Sequence, residues 1–120
     1  TKYDKVKEFN SKYSDDGILW FLESCDLNVF SIRRAMWQMD NAGWFENVKA
    51  FVIGRPLVYG QEMMGLDQYS AIIKTAGRYN VPVIMDADLG HLPPAMPVIS
   101  GAYAEVSVKD DNIHFSYELK

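Results

Sequence analysis

VKAFVIG, Val48 to Gly54, is the stretch on which the fold turns. From Ala50 to Ile53 no position is polar, so the segment offers no face to water. A short apolar run ended by turn residues reads as a strand buried on both sides. Such strands belong to parallel sheets whose two faces are both covered. Gly54-Arg55-Pro56 stops the strand, because proline gives no N–H to a ladder and restricts the residue before it.

Working outward, two further apolar runs flank this one at helix-length intervals. GILWFL (Gly17 to Leu22) follows the turn-like Ser14-Asp15-Asp16, and VPVIM (Val81 to Met85) lies downstream. Between the first two strands, Val29, Ile32, Met36 and Met39 recur at helical spacing, with Asn28 placed as an N-cap and Gly43 just past the end. Between the second and third, LDQYSAIIKTAGRY puts Leu66, Tyr69, Ile73 and Ala76 on one helical face. Three continuous strands separated by helices predict a parallel sheet with right-handed crossovers. The end of the chain changes period. Ala102, Ala104, Val106 and Val108, then Ile113, Phe115, Tyr117 and Leu119, alternate on either side of Lys109-Asp110-Asp111-Asn112. That pattern predicts an antiparallel hairpin. The fold class is therefore α/β: a three-layer β/β/α sandwich with two helices on one face of a short parallel sheet and the C-terminal hairpin over the other. The opening KYDKVKEFN suits a helix or an entry arm equally.

Composition narrows the function. A chain of 120 residues with 48% hydrophobic and 23% charged residues has the size and character of one globular domain, with no linker or repeat dividing it. A net charge of -4 speaks against a nucleic-acid partner, which calls for a basic patch or stripe. No apolar run approaches the ~20 residues of a membrane span, and the polar start is no secretory signal. One cysteine, Cys25, excludes an internal disulfide and fits a reducing, cytoplasmic setting. The first residue is Thr1 rather than methionine, as expected of a processed product or a piece of a longer protein.

Chemistry in open parallel sheets gathers outside the carboxyl ends of the strands. ESCD (Glu23 to Asp26), GRP and DADLGH (Asp86 to His91) all fall there. Glu23 reads either as a solvated loop carboxylate suited to a helix N-terminus or as a partly desolvated group wanting a donor. His91 either ties its loop together or is presented to a partner. Gly90 before it permits unusual backbone angles or close approach, and Pro93, Pro94 and Pro97 stiffen the chain beyond. Asp86, Asp88, His91 and Glu23 offer donors for a divalent cation, but their spacing matches no zinc signature. The two aspartates read better as acceptors of backbone hydrogen bonds, so no metal or cofactor is implied. Cys25 lacks an activating setting and reads as an apolar filler. His114 falls on the polar phase of the hairpin, a surface position. Trp20, Trp37 and Trp44 suit core or interface, while Tyr59, Met63 and Met64 suit a cleft or a dimer contact. A glutamate and a histidine make two-thirds of a hydrolytic triad, yet no serine lies in a G-x-S-x-G elbow.

GILWFLE, VKAFVIGRP and above all VPVIMDADLGHLPPAMPVISGAYAEV resemble the C-terminal domain of LD-carboxypeptidases. This family of serine peptidases includes muramoyltetrapeptide carboxypeptidase and the microcin C immunity protein. The resemblance runs from about Gly17 onward and rests chiefly on G-H-x-x-P followed by P-[VI]-x-x-G-[AC]. It implies a swivelling β/β/α domain forming the C-terminal part of a two-domain enzyme. It also implies a Ser-Glu-His triad, with Glu23 as the carboxylate and His91 as the base, and a serine and oxyanion-hole amides from an N-terminal partner domain. The substrate it implies is a murein peptide ending in a D-amino acid, and homodimers occur in the family. Ser24 departs from the acidic residue that many relatives carry after the glutamate. Hydrolysis of a peptidyl- or aminoacyl-nucleotide antibiotic is the alternative within the family. A non-enzymatic small-molecule binding domain and a metal-dependent enzyme are the alternatives outside it.

Overall fold

The computed structural model describes residues 4–57, 60–90 and 93–118. In chain order these form α1 (Lys5–Lys12), β1 (Ile18–Leu22), α2 (Val29–Asn41), β2 (Val48–Gly54), the short strands β3 (Glu62–Met63) and β4 (Leu66–Asp67), α3 (Gln68–Ala76), β5 (Val83–Ala87), β6 (Tyr103–Lys109) and β7 (Asn112–Glu118). β2 is the central strand of a three-stranded sheet ordered β1-β2-β5, and both pairings are parallel. The protein is thus α/β, with helices and a C-terminal antiparallel hairpin packed on a small parallel sheet, as the pattern of apolar runs predicts.

Alternation along the strands sorts side chains into two cores. Trp20 and Leu22 of β1, Phe51 and Ile53 of β2, and Val83 and Met85 of β5 join Val29, Ile32 and Met36 of α2 and Ala71, Ile72 and Ala76 of α3. The opposite face gathers Phe21, Val52, Ile84 and Ala87 against Ile113 and Phe115 of β7, with the Phe21 and Phe115 rings 5.7 Å apart. Val52 and Phe51 are both fully buried, which is why β2 tolerates no polar residue between Ala50 and Ile53. The hairpin reverses at Asp110 and Asp111, which have φ +50° and +63°, between the paired Lys109 and Asn112. Two left-handed residues in a two-residue connection match the right-handed twist of the strands, and aspartate is among the few side chains at ease there.

Asn28 accepts the Ser31 N–H at 2.9 Å and caps α2, and Gly43 follows the helix at φ +80°. The N-terminal segment is a helix rather than an arm: Asp4 caps α1, and the buried Asn10 donates to the Gly43 carbonyl at 3.0 Å. Trp20 stacks on Trp44 with ring centroids 5.4 Å apart, whereas Trp37 is exposed.

Three expectations are corrected. Tyr69 and Ile73 are exposed rather than core-facing, and Leu66 lies in β4 ahead of α3. The buried stripe is Gln68, Ala71, Ile72, Thr75 and Ala76. A 3.6-residue repeat fits either stripe, and the small Ala71 and Ala76 let the helix lie close on the sheet. β5 runs from Val83 to Ala87 rather than from Val81. Pro82 has no N–H to donate and meets β2 only through its carbonyl, which accepts the Phe51 N–H at 3.0 Å. Val108, assigned to the buried phase of the hairpin, is exposed at its tip; Leu119 and Tyr59 lie outside the described residues.

Two measurements test this architecture. Phe51→Ala removes a fully buried ring and should cost about 3–5 kcal/mol in chemical denaturation. Asp67 caps α3, and the Ser70 backbone N–H that it accepts at 2.7 Å, helped by the Ser70 hydroxyl, holds its carboxyl below the ordinary 3.8. A lowered folded-state value contributes stability that is present above the unfolded value and is lost as pH falls through the folded one. Near neutral pH the parent should therefore be more stable than Asp67→Asn, and acid melts should show the gap closing at low pH.

Candidate active site

β1, β2 and β5 are parallel, so their carboxyl ends meet on one edge of the sheet. Glu23 follows β1 directly, Arg55 follows β2, and the segment from Asp88 onward follows β5. Two glycines let these ends close on one another. A Cβ on Gly54 would overlap the Leu89 carbonyl oxygen and lie 2.7 Å from Leu89 Cδ1. A Cβ on Gly90, whose φ is +107°, would lie 2.6 Å from Glu23 Cγ, 3.1 Å from Glu23 Oε1 and 3.3 Å from the Arg55 carbonyl oxygen. Real Cβ atoms essentially never come within 3.0 Å of another group, as these would at Leu89 and at Glu23 Cγ. The loop after β5 is therefore packed on the Glu23 side chain because residue 90 has no side chain of its own.

Glu23 is exposed, and its position is fixed by local backbone. Oε1 accepts the Cys25 N–H at 2.9 Å. Cys25 itself sits at φ +51°, and its carbonyl accepts the Leu57 N–H at 2.9 Å. The carboxylate is thereby oriented by the turn that follows β1, and that turn is anchored to the segment following β2. His91 and Leu92 lie outside the described residues. The chain is described up to Gly90 and again from Pro93.

The aspartates are held by side chains. Asp86 has φ +57° at a register shift between β2 and β5. Tyr69 Oη donates to its Oδ2 at 2.6 Å, and Gln68 Nε2 donates to its Oδ1 at 3.4 Å. Gln68 in turn accepts the Gly60 N–H at 2.7 Å. Asp88 pairs with the Arg55 guanidinium at 2.9 Å, a side-chain partner in place of the expected backbone one. Among the described residues, no three His, Cys, Asp or Glu side chains gather where they could hold a cation. His114 is exposed, across from Ser107.

Beside this edge lies a cavity of about 190 Å³ between the sheet and the helices α2 and α3. Ile32, Met36, Met39 and Ile72 form much of its wall, and Glu23, Ser24, Gln68 and Asp86 supply its polar groups. Arg55, Gln68 and Tyr69 went unrecognised as site residues in the sequence. GRP marks the loop but gives no sign of where its arginine reaches, and the helical spacing predicts Tyr69 on the core face.

With this geometry in place, comparison with known proteins identifies the lineage. The chain matches the family model described as the LD-carboxypeptidase C-terminal domain over residues 4–106, and it belongs to that family. No curated protein and no solved structure matches it. No helix among the described residues is long and apolar enough to cross a membrane.

Gly90 and Gly101 provide a paired test of the close approach. Both have positive φ, but a Cβ on Gly101 would meet nothing within 4 Å. Gly101→Ala should cost only the backbone strain, about 1–2 kcal/mol. Gly90→Ala should cost more in denaturant unfolding, because Glu23 must also move. Equal losses would show that the Glu23 packing contributes nothing.

Proposed function

We propose that this domain supplies the carboxylate and the base, Glu23 and His91, of a Ser-Glu-His triad that hydrolyses the LD-peptide bond of murein-derived peptides ending in a D-amino acid. The serine and the oxyanion-hole amides come, in this reading, from an N-terminal domain of the same protein. His91 takes the serine proton during attack on the peptide carbonyl and returns it to the leaving amine. Glu23 holds the imidazole tautomer and stabilises the imidazolium that forms. General-base catalysis of this kind contributes on the order of 10² to 10⁴ in rate.

The observation that carries the reading is the packing of Gly90 on Glu23. Gly90, the residue that precedes His91 in the sequence, rests against a carboxylate already oriented by the Cys25 N–H. Membership of the LD-carboxypeptidase family supports the reaction class. A cytoplasmic setting, in keeping with the lone cysteine, belongs to the same proposal.

The cavity beside Glu23 favours one competing reading, a domain that binds a small molecule without turning it over. Substitution in the full-length protein separates the two. Glu23→Gln and His91→Ala should each lower kcat by about 10³-fold or more with unchanged melting temperatures, and the double variant should be little worse than the more impaired single one. The 120-residue chain alone should not cleave an LD-tetrapeptide. Near-parental turnover by either single variant would remove that residue from the chemistry, and appreciable cleavage by the isolated chain would overturn the requirement for a second domain.

A further inference from the structure

We infer that Arg55 is a positioning residue that clamps the loop carrying His91 from both sides, an inference that rests on the triad reading above. The described residues of this loop form no helix or strand. Its backbone bonds include Leu89 N–H to the Ala87 carbonyl at 2.7 Å and Met96 N–H to the Asp88 carbonyl. Among the described residues, Arg55 ties the loop at matched places. Nη1 pairs with Asp88 Oδ1 at 2.9 Å, three residues before His91. Nη2 donates to the Pro94 carbonyl at 2.7 Å, three residues after it. The Arg55 carbonyl also walls the loop, 3.3 Å from where a Gly90 side chain would begin.

The chemistry of the side chain suits this task. A guanidinium presents its N–H groups in a rigid planar fork, so one residue can hold a carboxylate and a carbonyl in different directions at once. An ammonium is a single point charge and cannot fix that geometry. The fork is itself well placed: Arg55 follows the central strand, its side chain is only 21% exposed, and Asp88 reaches in from a position 51% exposed. Ion pairs in such settings add modest stability, so the consequence is geometric. A base displaced by about 1 Å can lose on the order of 10²-fold in rate.

The test uses the full-length enzyme and an LD-tetrapeptide. Arg55→Met should lower kcat about 10- to 100-fold with KM little changed, and Arg55→Lys should recover only part of the loss. Asp88→Asn should show a smaller loss, and Arg55→Met/Asp88→Asn should be no worse than Arg55→Met. Hydrogen exchange should quicken around Met96 in Arg55→Met without change in α2 or α3. Arg78→Met, which breaks the Arg78–Asp40 pair outside this loop, should leave turnover and loop exchange at the parental level. Parental kcat in Arg55→Met, with His91→Ala inactive, would overturn the clamp and leave the triad standing. A raised KM at unchanged kcat would also overturn it, as would full recovery by lysine. Activity in His91→Ala would remove the triad itself, whatever Arg55 does. If Arg55→Met melts early, the kcat and KM of Arg55→Lys and Asp88→Asn decide the matter at a temperature where both are folded.

Discussion

The architecture of the site depends on two places where the chain has no side chain to interpose. Gly54, at the end of the central strand, lets the Leu89 backbone cross it, and Gly90 lets the next turn of the same loop rest on the Glu23 stem. Each replaces what would be a β-carbon by a van der Waals contact between segments tens of residues apart. The three strand ends are consequently drawn into one edge rather than left as three separate loops. The turn at Cys25, the Arg55 guanidinium and the Tyr69–Asp86 bond all act within a frame those two contacts create.

That frame stands on a sheet only three strands wide, which survives because both of its faces are sealed. The helical layer covers Phe51 and Ile53, and the hairpin covers Val52 and Phe21. Apolar burial of this kind contributes roughly 25 cal/mol per Å², and β2 draws on it from both sides. The edge that carries Glu23 and Asp88 can then be polar and exposed, because it is not asked to hold the fold together.

Much of this was legible in the sequence where one residue type had one physical meaning. The uninterrupted apolar run of β2 reads as a buried strand, Asn28 stands where an N-cap is wanted, and alternation around Asp110-Asp111 reads as a hairpin. Legibility failed where two solutions satisfied the same pattern. On α3 a 3.6-residue repeat fits a stripe through Tyr69 and Ile73 as well as one through Ala71 and Ile72, and the sheet takes the second, which leaves Tyr69 outside to reach Asp86. β5 begins at Val83 rather than Val81 because Pro82 lacks a donor, a local fact whose outcome depends on the neighbouring strand. Glu23 and Gly90 were marked individually, but their contact was not, since nothing in a spacing of sixty-odd residues encodes a distance. Arg55 was invisible for the same reason: its partners Asp88 and Pro94 become partners only after the sheet has formed.

The family match ends at residue 106, midway along β6, yet the hairpin continues to Glu118 and delivers Ile113 and Phe115 to the second core. The hairpin that closes the second core therefore extends beyond the matched residues. A chain trimmed to the matched region would strip the lid from Phe21, Val52 and Ile84 and leave half a hairpin with its hydrogen-bonding edge open, the kind of surface on which other polypeptides assemble.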